Sequence, residues 1–157
     1  MNNKALNVHG TGLVLGDTGV LLRGPSGAGK SVLALSLLDR WEGRNLSAYL
    51  VSDDRVDLTV ADGLLVMAAP TQIAGLIELR GRGIVQRPHR SPAPLHLVID
   101  LVSDFTRMLE EDALVTELLG TSLARAPIPQ SGLTSLGHQL LLAVEAIAAV
   151  NLKPTAP

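Results

Sequence analysis

The sequence contains no cysteine, which excludes disulfide bonds, thiolate metal sites and cysteine nucleophiles. Its four histidines are scattered, and none of them pairs at a spacing typical of a zinc site. Aromatic residues are almost absent, since only Trp41, Tyr49 and Phe105 occur, so a platform for stacking nucleic-acid bases is not expected. The core must therefore be built from leucine, valine, isoleucine and alanine.

An excess of positive charge is also lacking. The 13 Lys and Arg residues against 15 Asp and Glu residues give a net charge of −2, which argues against nucleic acid or an anionic membrane as a partner. The longest apolar stretch, 140–150, is interrupted by Glu145 and is too short to span a bilayer. The polar start at 1–4 leads into no apolar export segment. We therefore expect a cytoplasmic protein.

The length of 157 residues, with 46% hydrophobic and 18% charged residues, predicts one folded domain over 1–157. Apolar patterning predicts helices over 31–40 and 133–148, the second capped by Ser131 or Thr134. Strands are predicted at 6–8, 12–15, 20–22, 48–51 and 95–101, with a hairpin of 56–60 and 64–68 around Asp62-Gly63. Loops are predicted at 88–94 and between Pro127 and Pro129. This order favours an α/β fold with a mixed, hairpin-rich sheet and helices packed against it.

A phosphate-binding loop is the strongest motif in the sequence. The pattern G-x-x-x-x-G-K-[ST] is matched by Gly24, Pro25, Ser26, Gly27, Ala28, Gly29, Lys30 and Ser31. An apolar strand precedes it and an apolar helix follows, as the motif requires. Glycines let several backbone N–H groups surround a phosphate, and the helix N-terminus adds partial positive charge. The motif predicts a nucleoside triphosphate site in which Lys30 reaches the β- and γ-phosphates and the Ser31 hydroxyl binds Mg²⁺.

Two strand-end carboxylate positions are candidates for the remaining chemistry. Asp53-Asp54 follows the strand at 48–51, and Asp100 follows the apolar run at 97–99. Adjacent carboxylates repel unless they share a cation or a proton, which favours Asp53-Asp54 for a functional role. The alternatives are a solvated turn at Asp53-Asp54 and a strand-end salt-bridge partner at Asp100.

A further cluster, 77–84, places Glu78, Arg80 and Arg82 beside Gly81 and Gly83. Arginine offers bidentate donors for phosphate, and glycine permits close backbone approach. The cluster is equally typical of an exposed strand with charges on one face and a glycine bulge.

Four segments together resemble the catalytic domain of the bacterial HPr kinase/phosphorylase family. They are His9 with Val14, the phosphate-binding loop 24–31, the segment 51–56, and the segment Glu78-Leu79-Arg80-Gly81-Arg82-Gly83-Ile84. The resemblance implies an ATP- and Mg²⁺-dependent kinase that phosphorylates a serine of HPr, the phosphocarrier protein of the sugar phosphotransferase system. Many members of the family also remove this phosphate by phosphorolysis. It also implies a fold similar to phosphoenolpyruvate carboxykinase.

The resemblance further implies roles for individual residues. Asp53 is expected to act as the base, His9 to contact the transferring phosphoryl group or Asp53, and Arg107 to be an active-site arginine. Ser31, Asp54 and Glu78 are expected near the metal, and Glu78, Arg80, Gly81 and Gly83 form the signature segment.

The chain departs from the family pattern at three points. Because His9 lies almost at the start of the sequence, the family's additional N-terminal domain is expected to be absent. Val32 stands where the family often has Glu, and 131–133 lacks the family's arginine. A homo-oligomer is expected by analogy, supported by the leucine-rich last helix. Two other interpretations remain: a P-loop kinase or NTPase acting on a small molecule with Asp100 as the metal carboxylate, and a non-catalytic nucleotide-sensing module.

Overall fold

Residues 5–152 are the part of the chain that the structure, a computed structural model, describes. In chain order the strands are β1 (Leu6–His9), β2 (Thr11–Leu15), β3 (Thr18–Arg23), β4 (Ala48–Ser52), β5 (Arg55–Ala61), β6 (Leu64–Ala68), β7 (Leu76–Leu79), β8 (Gly83–Gln86), β9 (Ala93–Pro94), β10 (Leu97–Val102), β11 (Val115–Leu118) and β12 (Thr121–Pro129). Helix α1 is Lys30–Gly43 and helix α2 is Leu136–Leu152, and short 3-10 helices lie at Thr71–Ile73 and Glu111–Leu114. The two predicted helices and the predicted hairpin around Asp62-Gly63 are confirmed.

A six-stranded sheet forms the centre of the fold, in the spatial order β11-β12-β10-β3-β2-β4. Strand β10 runs parallel to β12 and β3, whereas the other neighbours pair antiparallel. Strands β2 and β3 are buried almost throughout, as is typical of strands that are covered on both faces. The predicted mixed sheet is therefore confirmed.

Both helices pack on one face of this sheet. Because successive strand residues point to opposite faces, Leu13 and Leu15 of β2 face the helices while Val14 faces away. The helices supply the other half of this core with Leu33, Ala34, Leu37 and Leu38 from α1 and Ala143 and Ile147 from α2. No helix within residues 5–152 combines the length and the apolar character that a membrane span requires.

The opposite face is covered by a four-stranded antiparallel sheet in the order β1-β5-β6-β9. Val14 and Leu21 of the central sheet pack with Leu58 of β5 in this second core. The hairpin of β5 and β6 turns at Asp62-Gly63, where both residues have positive φ angles of 51° and 76°. Asp-Gly is favoured where both central residues of a two-residue turn need this conformation, which explains why the hairpin was predictable.

The loop predicted between Pro127 and Pro129 is wrong, because both prolines lie in β12 and pair with β10. The Gln130 N–H donates to the Val102 carbonyl of β10 over 2.9 Å. Because the strand alternates from one residue to the next, the backbone nitrogens of Pro127 and Pro129 point to the other side of β12, away from β10. On that side β11 pairs only with 121–124. The prolines therefore occupy positions where no N–H donor is needed.

The predicted cap of the last helix is also wrong. Helix α2 starts at Leu136, and Ser135 is the cap, since its Oγ accepts a hydrogen bond of 3.1 Å from the His138 N–H. Ser131 is used elsewhere: its N–H donates to the Ala28 carbonyl over 3.0 Å, against the phosphate-binding loop.

The topology gathers distant segments at one edge of the central sheet. Strand β2 lies between β3 and β4 and is antiparallel to both, so the ends of β3 and β4 meet the beginning of β2. Strands β10 and β12 run parallel to β3, and their ends reach the same edge. The loops that leave this edge hold most of the candidate site residues.

Candidate active site

The phosphate-binding loop connects β3 to α1 in a conformation that depends on glycine. Gly27 and Gly29 have φ angles of 84° and 101°, in the left-handed region that other residues rarely adopt. A Cβ on Gly29 would also lie 3.1 Å from the Ser131 Cβ. No side chain caps the first turn of α1, and no acidic residue lies in that turn. The free N–H groups there are suited to bind an anion.

The Lys30 ammonium lies against its own loop. Its Nζ donates to the carbonyl oxygens of Gly24 over 2.6 Å and Pro25 over 3.1 Å. Burial lowers the pKa of Lys30 from its ordinary value, while the charges of Asp53 and Asp54 act in the opposite direction. These contacts hold a cation beside the loop.

The two adjacent carboxylates occupy a tight turn between β4 and β5. The Arg55 N–H donates to the Asp53 carbonyl over 2.8 Å, and Asp54 has a φ of 71°. Aspartate tolerates this left-handed conformation better than most residues, and such conformations cluster at functional sites. The turn lets both side chains leave the end of β4 toward the phosphate-binding loop.

The carboxylate of Asp53 is held by two donors. The Thr11 Oγ1 donates to one oxygen over 2.8 Å, and the Glu78 backbone N–H donates to the other over 3.3 Å. Thr11 is fully buried at the beginning of β2. Sequence reasoning missed Thr11, because a threonine in an apolar strand gives no local signal of a distant carboxylate partner.

His9 stands at the end of β1 beside the second carboxylate. Its Nε2 lies 2.9 Å from the Asp54 Oδ1, and both side chains are exposed to solvent. The resemblance implied a contact of His9 with the transferring phosphoryl group or Asp53, and the carboxylate that the His9 ring contacts in the structure is that of Asp54.

A cavity of about 340 Å³, which we call the phosphate pocket, unites these segments. It is lined by His9, Ser26, Gly27, Gly29, Lys30, Ser31, Val32, Asp53, Asp54, Glu78, Arg80 and Ser131. Glu78 and Arg80 reach it from the hairpin of β7 and β8, whose tip is Arg80-Gly81-Arg82. Most of the predicted site residues are therefore brought together, and Ser131 is an addition that the sequence placed at a helix cap.

Arg107 is not brought into the phosphate pocket. The chain after β10 turns toward β12 and α2, where the Phe105 ring stacks on His138 with 5.7 Å between ring centres. Arg107 lines a separate cavity there, of about 320 Å³, together with Pro127 and Pro129. The short sequence match at 105–109 contained no information about this change in the direction of the chain.

Asp100, the alternative metal carboxylate, is occupied by arginines. Its two oxygens accept from Arg23 over 2.7 and 2.9 Å and from Arg125 over 2.6 Å. Burial alone would raise the pKa of Asp100, but the hydrogen bonds and charges of Arg23 and Arg125 outweigh it and lower the pKa. The structure therefore favours the salt-bridge interpretation of Asp100.

Comparison with known proteins gives a consistent family. The family model for the HPr Serine kinase C-terminal domain matches residues 2–150. An HPr kinase/phosphorylase from Geobacillus sp. (strain WCH70) is 35% identical, over 93% of this chain and 47% of the relative. One from Bordetella pertussis is 32% identical, over 88% of this chain and 46% of the relative. The chain thus spans about half the length of these curated relatives.

The fold is also shared with a solved structure, the Hpr(Ser) kinase/phosphatase from Coxiella burnetii. That structure superposes with a TM-score of 0.69 and 28% sequence identity, covering 89% of this chain and 96% of that one. Sequence and fold agree, and the chain belongs to the HPr Serine kinase C-terminal domain family.

Proposed function

We propose that this chain is an ATP-dependent kinase domain that phosphorylates a serine of the phosphocarrier protein HPr. The observation that carries this proposal is the placement of the Asp53 carboxylate in one pocket with Lys30 and Ser31 of the phosphate-binding loop. A triphosphate held by the loop would present its γ-phosphate to the space in front of Asp53. HPr as the acceptor is supported by the names of the relatives, which are HPr kinases.

The residues of the pocket suit in-line transfer. The N–H groups of the loop and of the first turn of α1 bind phosphate oxygens, and Lys30 exchanges its loop carbonyls for the β- and γ-phosphates. Asp53, oriented by Thr11, accepts the proton of the serine hydroxyl as that oxygen attacks phosphorus. His9, beside Asp54, lies where it can contact the transferring phosphoryl group.

The donors present fit Mg²⁺ as the accompanying ion. Within residues 5–152, no three His, Cys, Asp or Glu side chains form a ready-made metal cluster. The phosphate pocket instead offers the Ser31 hydroxyl with the carboxylates of Asp54 and Glu78. Mg²⁺ usually takes one or two carboxylates and completes its shell with phosphates and water. When bound, it would neutralise charge on the phosphate oxygens.

The same residues serve the reverse reaction. When inorganic phosphate attacks phosphoserine, the serine oxygen leaves and pyrophosphate forms, and Asp53 is placed to return a proton to that oxygen.

We further propose that the protein works in the cytoplasm and as a homo-oligomer. The homo-oligomer is supported by Leu136 and Leu141, which remain exposed on α2.

The test is incubation with purified HPr and γ-labelled ATP, followed by detection of phosphoserine. Wild type and Asp100→Asn are expected to label HPr, whereas Asp53→Asn is expected to bind ATP and fail to transfer. Labelling that survives Asp53→Asn but is lost in Asp100→Asn would return the assignment to the small-molecule P-loop enzyme. Tight ATP binding with no phosphoserine on HPr would favour a nucleotide sensor. Running the assay backwards with inorganic phosphate tests the phosphorolysis.

A further inference from the structure

A second cavity, which we call the base cavity, lies at the same edge of the central sheet as the phosphate pocket. It has a volume of about 320 Å³, within the range of small-molecule sites. The loop after β10, the end of β12 and the first turns of α2 form most of its walls. The lining includes Phe105, Arg107, Pro127, Pro129, His138 and Leu142.

Only two residues along the chain separate the base cavity from the phosphate pocket. Pro129 lines the first and Ser131 lines the second. Between them, the Gln130 N–H donates to the Val102 carbonyl at the end of β10 over 2.9 Å. The Ser131 N–H donates to the Ala28 carbonyl of the phosphate-binding loop over 3.0 Å. The two cavities are therefore neighbours across this segment.

The order of the strands gives the direction in which a bound triphosphate lies. Asp53 follows β4 on one side of β3, whereas β10 and β12 lie on the other side. If the γ-phosphate faces Asp53, the nucleoside at the opposite end of the molecule leaves the loop over the ends of β10 and β12. The ends of parallel strands are the usual place for such ligands. Neighbouring strands are about 4.8 Å apart, so β12 lies about 10 Å from β3, a gap that the α-phosphate and the ribose bridge.

The chemistry of the base cavity suits a flat aromatic ligand. The Phe105 ring stacks on His138 with 28° between the ring planes, and Phe105 nevertheless remains 55% exposed. Pro127, Pro129 and Leu142 add apolar surface around it. Every base has a π-face, so an exposed aromatic ring offers it a stacking surface. In a chain with only three aromatic residues, an exposed phenylalanine beside a phosphate pocket favours a binding role over a structural one.

The walls of the base cavity are held in place by their own hydrogen bonds. The His138 ring Nδ1 shares a hydrogen bond with the Thr134 hydroxyl, which fixes the ring under Phe105. Arg125 of β12 donates to the Ala113 carbonyl over 2.9 Å and to the Asp100 carboxylate over 2.6 Å. These contacts tie the 3-10 helix before β11 to the central sheet. The cavity is thus preformed, which lowers the entropic cost of binding.

We infer that the base cavity binds the adenine of the phosphoryl donor, with the base stacked on Phe105. The inference rests on the proposed function, which supplies ATP as the donor and the direction of its γ-phosphate. Arg107 lines the same cavity, and its guanidinium can donate to the ring nitrogens of adenine, which are acceptors. Affinity for the donor therefore comes from the base as well as from the phosphates.

Calorimetric titration with two ligands separates the base from the phosphates. Mg-ATP carries both, whereas inorganic tripolyphosphate with Mg²⁺ carries phosphates alone. Phe105→Ala is expected to raise the Kd for Mg-ATP about tenfold, the effect of one lost base–aromatic stack. The Kd for tripolyphosphate is expected to stay unchanged. Phe105→Tyr retains the ring and is expected to bind Mg-ATP like the wild type.

Met108→Ala is the matched control for the loss of an exposed apolar side chain. Met108 is 83% exposed on the same loop and does not line the base cavity. Its substitution is expected to leave the affinities for both ligands unchanged. Thermal melts of all variants check that the domain remains folded.

Photolabelling locates the base directly and requires no catalysis. The wild-type protein is irradiated with 2-azido-ATP, whose reactive group is on the adenine, then digested and analysed by mass spectrometry. We expect adducts within 102–109, 125–129 or 138–142, and we expect excess ATP to prevent them. Adducts that excess ATP prevents but that lie only in other segments would overturn the assignment of the base cavity.

The outcomes separate this inference from the proposed function. If HPr is phosphorylated but Phe105→Ala binds Mg-ATP like Met108→Ala, the base cavity assignment is overturned and the kinase function stands. Equal losses of affinity for ATP and tripolyphosphate would also overturn it, because the loop would then act on the phosphates. If ATP affinity depends on Phe105 as expected and HPr receives no phosphate, the assignment stands and the kinase function is overturned. If the wild type binds no Mg-ATP, both are overturned.

Discussion

Thr11 connects a buried strand to the proposed chemistry through a single hydroxyl. Its Oγ1 donates to Asp53 over 2.8 Å, so it fixes the carboxylate that is proposed to accept the serine proton. Thr11→Val keeps the shape and removes this donor. A hydrogen bond to a charged group contributes about 1.5–3 kcal/mol, so kcat is expected to fall by about 10- to 100-fold. The KM for ATP should change little, because Thr11 does not line the phosphate pocket.

Thr11→Ser is the matched control for this positioning role. Serine retains the hydroxyl at the same place, so its kcat is expected to stay within a few-fold of the wild-type value. A purely structural role would instead lower the melting temperature of both variants and leave kcat per folded molecule unchanged. That result would contradict the prediction.

Asp100 is a structural counterpart to Asp53. Its side chain is 15% exposed and accepts from both Arg23 and Arg125, and asparagine would leave these arginines without a charged partner. We expect Asp100→Asn to lower the free energy of unfolding by about 1.5–3 kcal/mol, measured by urea denaturation at neutral pH. The exposed Asp104→Asn is the control and should stay within about 0.5 kcal/mol of wild type. An Asp100→Asn variant as stable as this control would show that the pairs contribute little.

The pH dependence of this contribution follows from the lowered pKa of Asp100. A carboxyl whose pKa is lower in the folded state stabilises the fold fully above its ordinary value of 3.8. The stabilisation is lost as the pH falls through the lowered pKa. The difference between wild type and Asp100→Asn should therefore be constant from neutral pH down to about pH 5.

Strands, helices and turns were predictable where the sequence itself specifies them. The turn at Asp62-Gly63 depends only on the positive φ angles of these two residues. The phosphate-binding loop lies between a strand and a helix that apolar patterning alone predicts. The role of the prolines in β12 was not predictable in this way. Pro127 and Pro129 fit a strand only because β11 begins opposite Ala124 and does not extend alongside them, which is a property of the sheet and not of the local sequence.

His96 joins two strands through a ring nitrogen that must stay unprotonated. The His96 Nδ1 accepts from the Gly19 N–H over 2.9 Å, and the backbone N–H of His96 donates to the Gly19 carbonyl at the same distance. Although part of the ring is exposed, burial of the rest lowers the pKa of His96 from 6.5. The unfolded chain therefore takes up this proton first. The resulting stability is present above about pH 6.5 and is lost as the pH falls.

His96→Asn tests this titration, because asparagine offers an acceptor that does not ionise. Urea denaturation of both proteins at pH 7.5 and 5.5 is the measurement. Wild type is expected to lose more stability on acidification than His96→Asn, and all other titrating groups are common to both. Equal losses in the two proteins would mean that His96 does not contribute to the pH dependence.

The assembled sheet decides which of the candidate residues meet. Lys30, Asp53 and Glu78 lie in three separate segments, and the sequence predicted them as one site through their resemblance to a family pattern. The structure supplies the physical reason, since β2 aligns the ends of β3 and β4. Ser131 joins the site and Arg107 does not because the paths after β12 and β10 diverge, and no local pattern encodes this divergence.

Binding of Mg-ATP should stabilise the whole domain, because the pocket exists only when the sheet edge and α1 are folded together. At a ligand concentration of 100 times Kd the gain is about 2.7 kcal/mol. For a chain of this size that corresponds to a rise in Tm of roughly 5–10 °C. Lys30→Met removes the cation expected on the β- and γ-phosphates, and loss of its charged hydrogen bonds should weaken binding by about 10- to 100-fold.

With binding weakened 100-fold, the same ATP concentration stabilises the domain by only about 0.4 kcal/mol, and the Tm shift nearly disappears. Arg44→Met is the matched control, since Arg44 is an exposed cation at the other end of α1, about 20 Å along the helix from Lys30. Differential scanning fluorimetry of the three proteins with and without Mg-ATP measures these shifts. If Lys30→Met kept the wild-type Tm shift, the triphosphate would have to bind outside the phosphate pocket. Inside the pocket, loss of the Lys30 ammonium is expected to weaken binding and remove the shift.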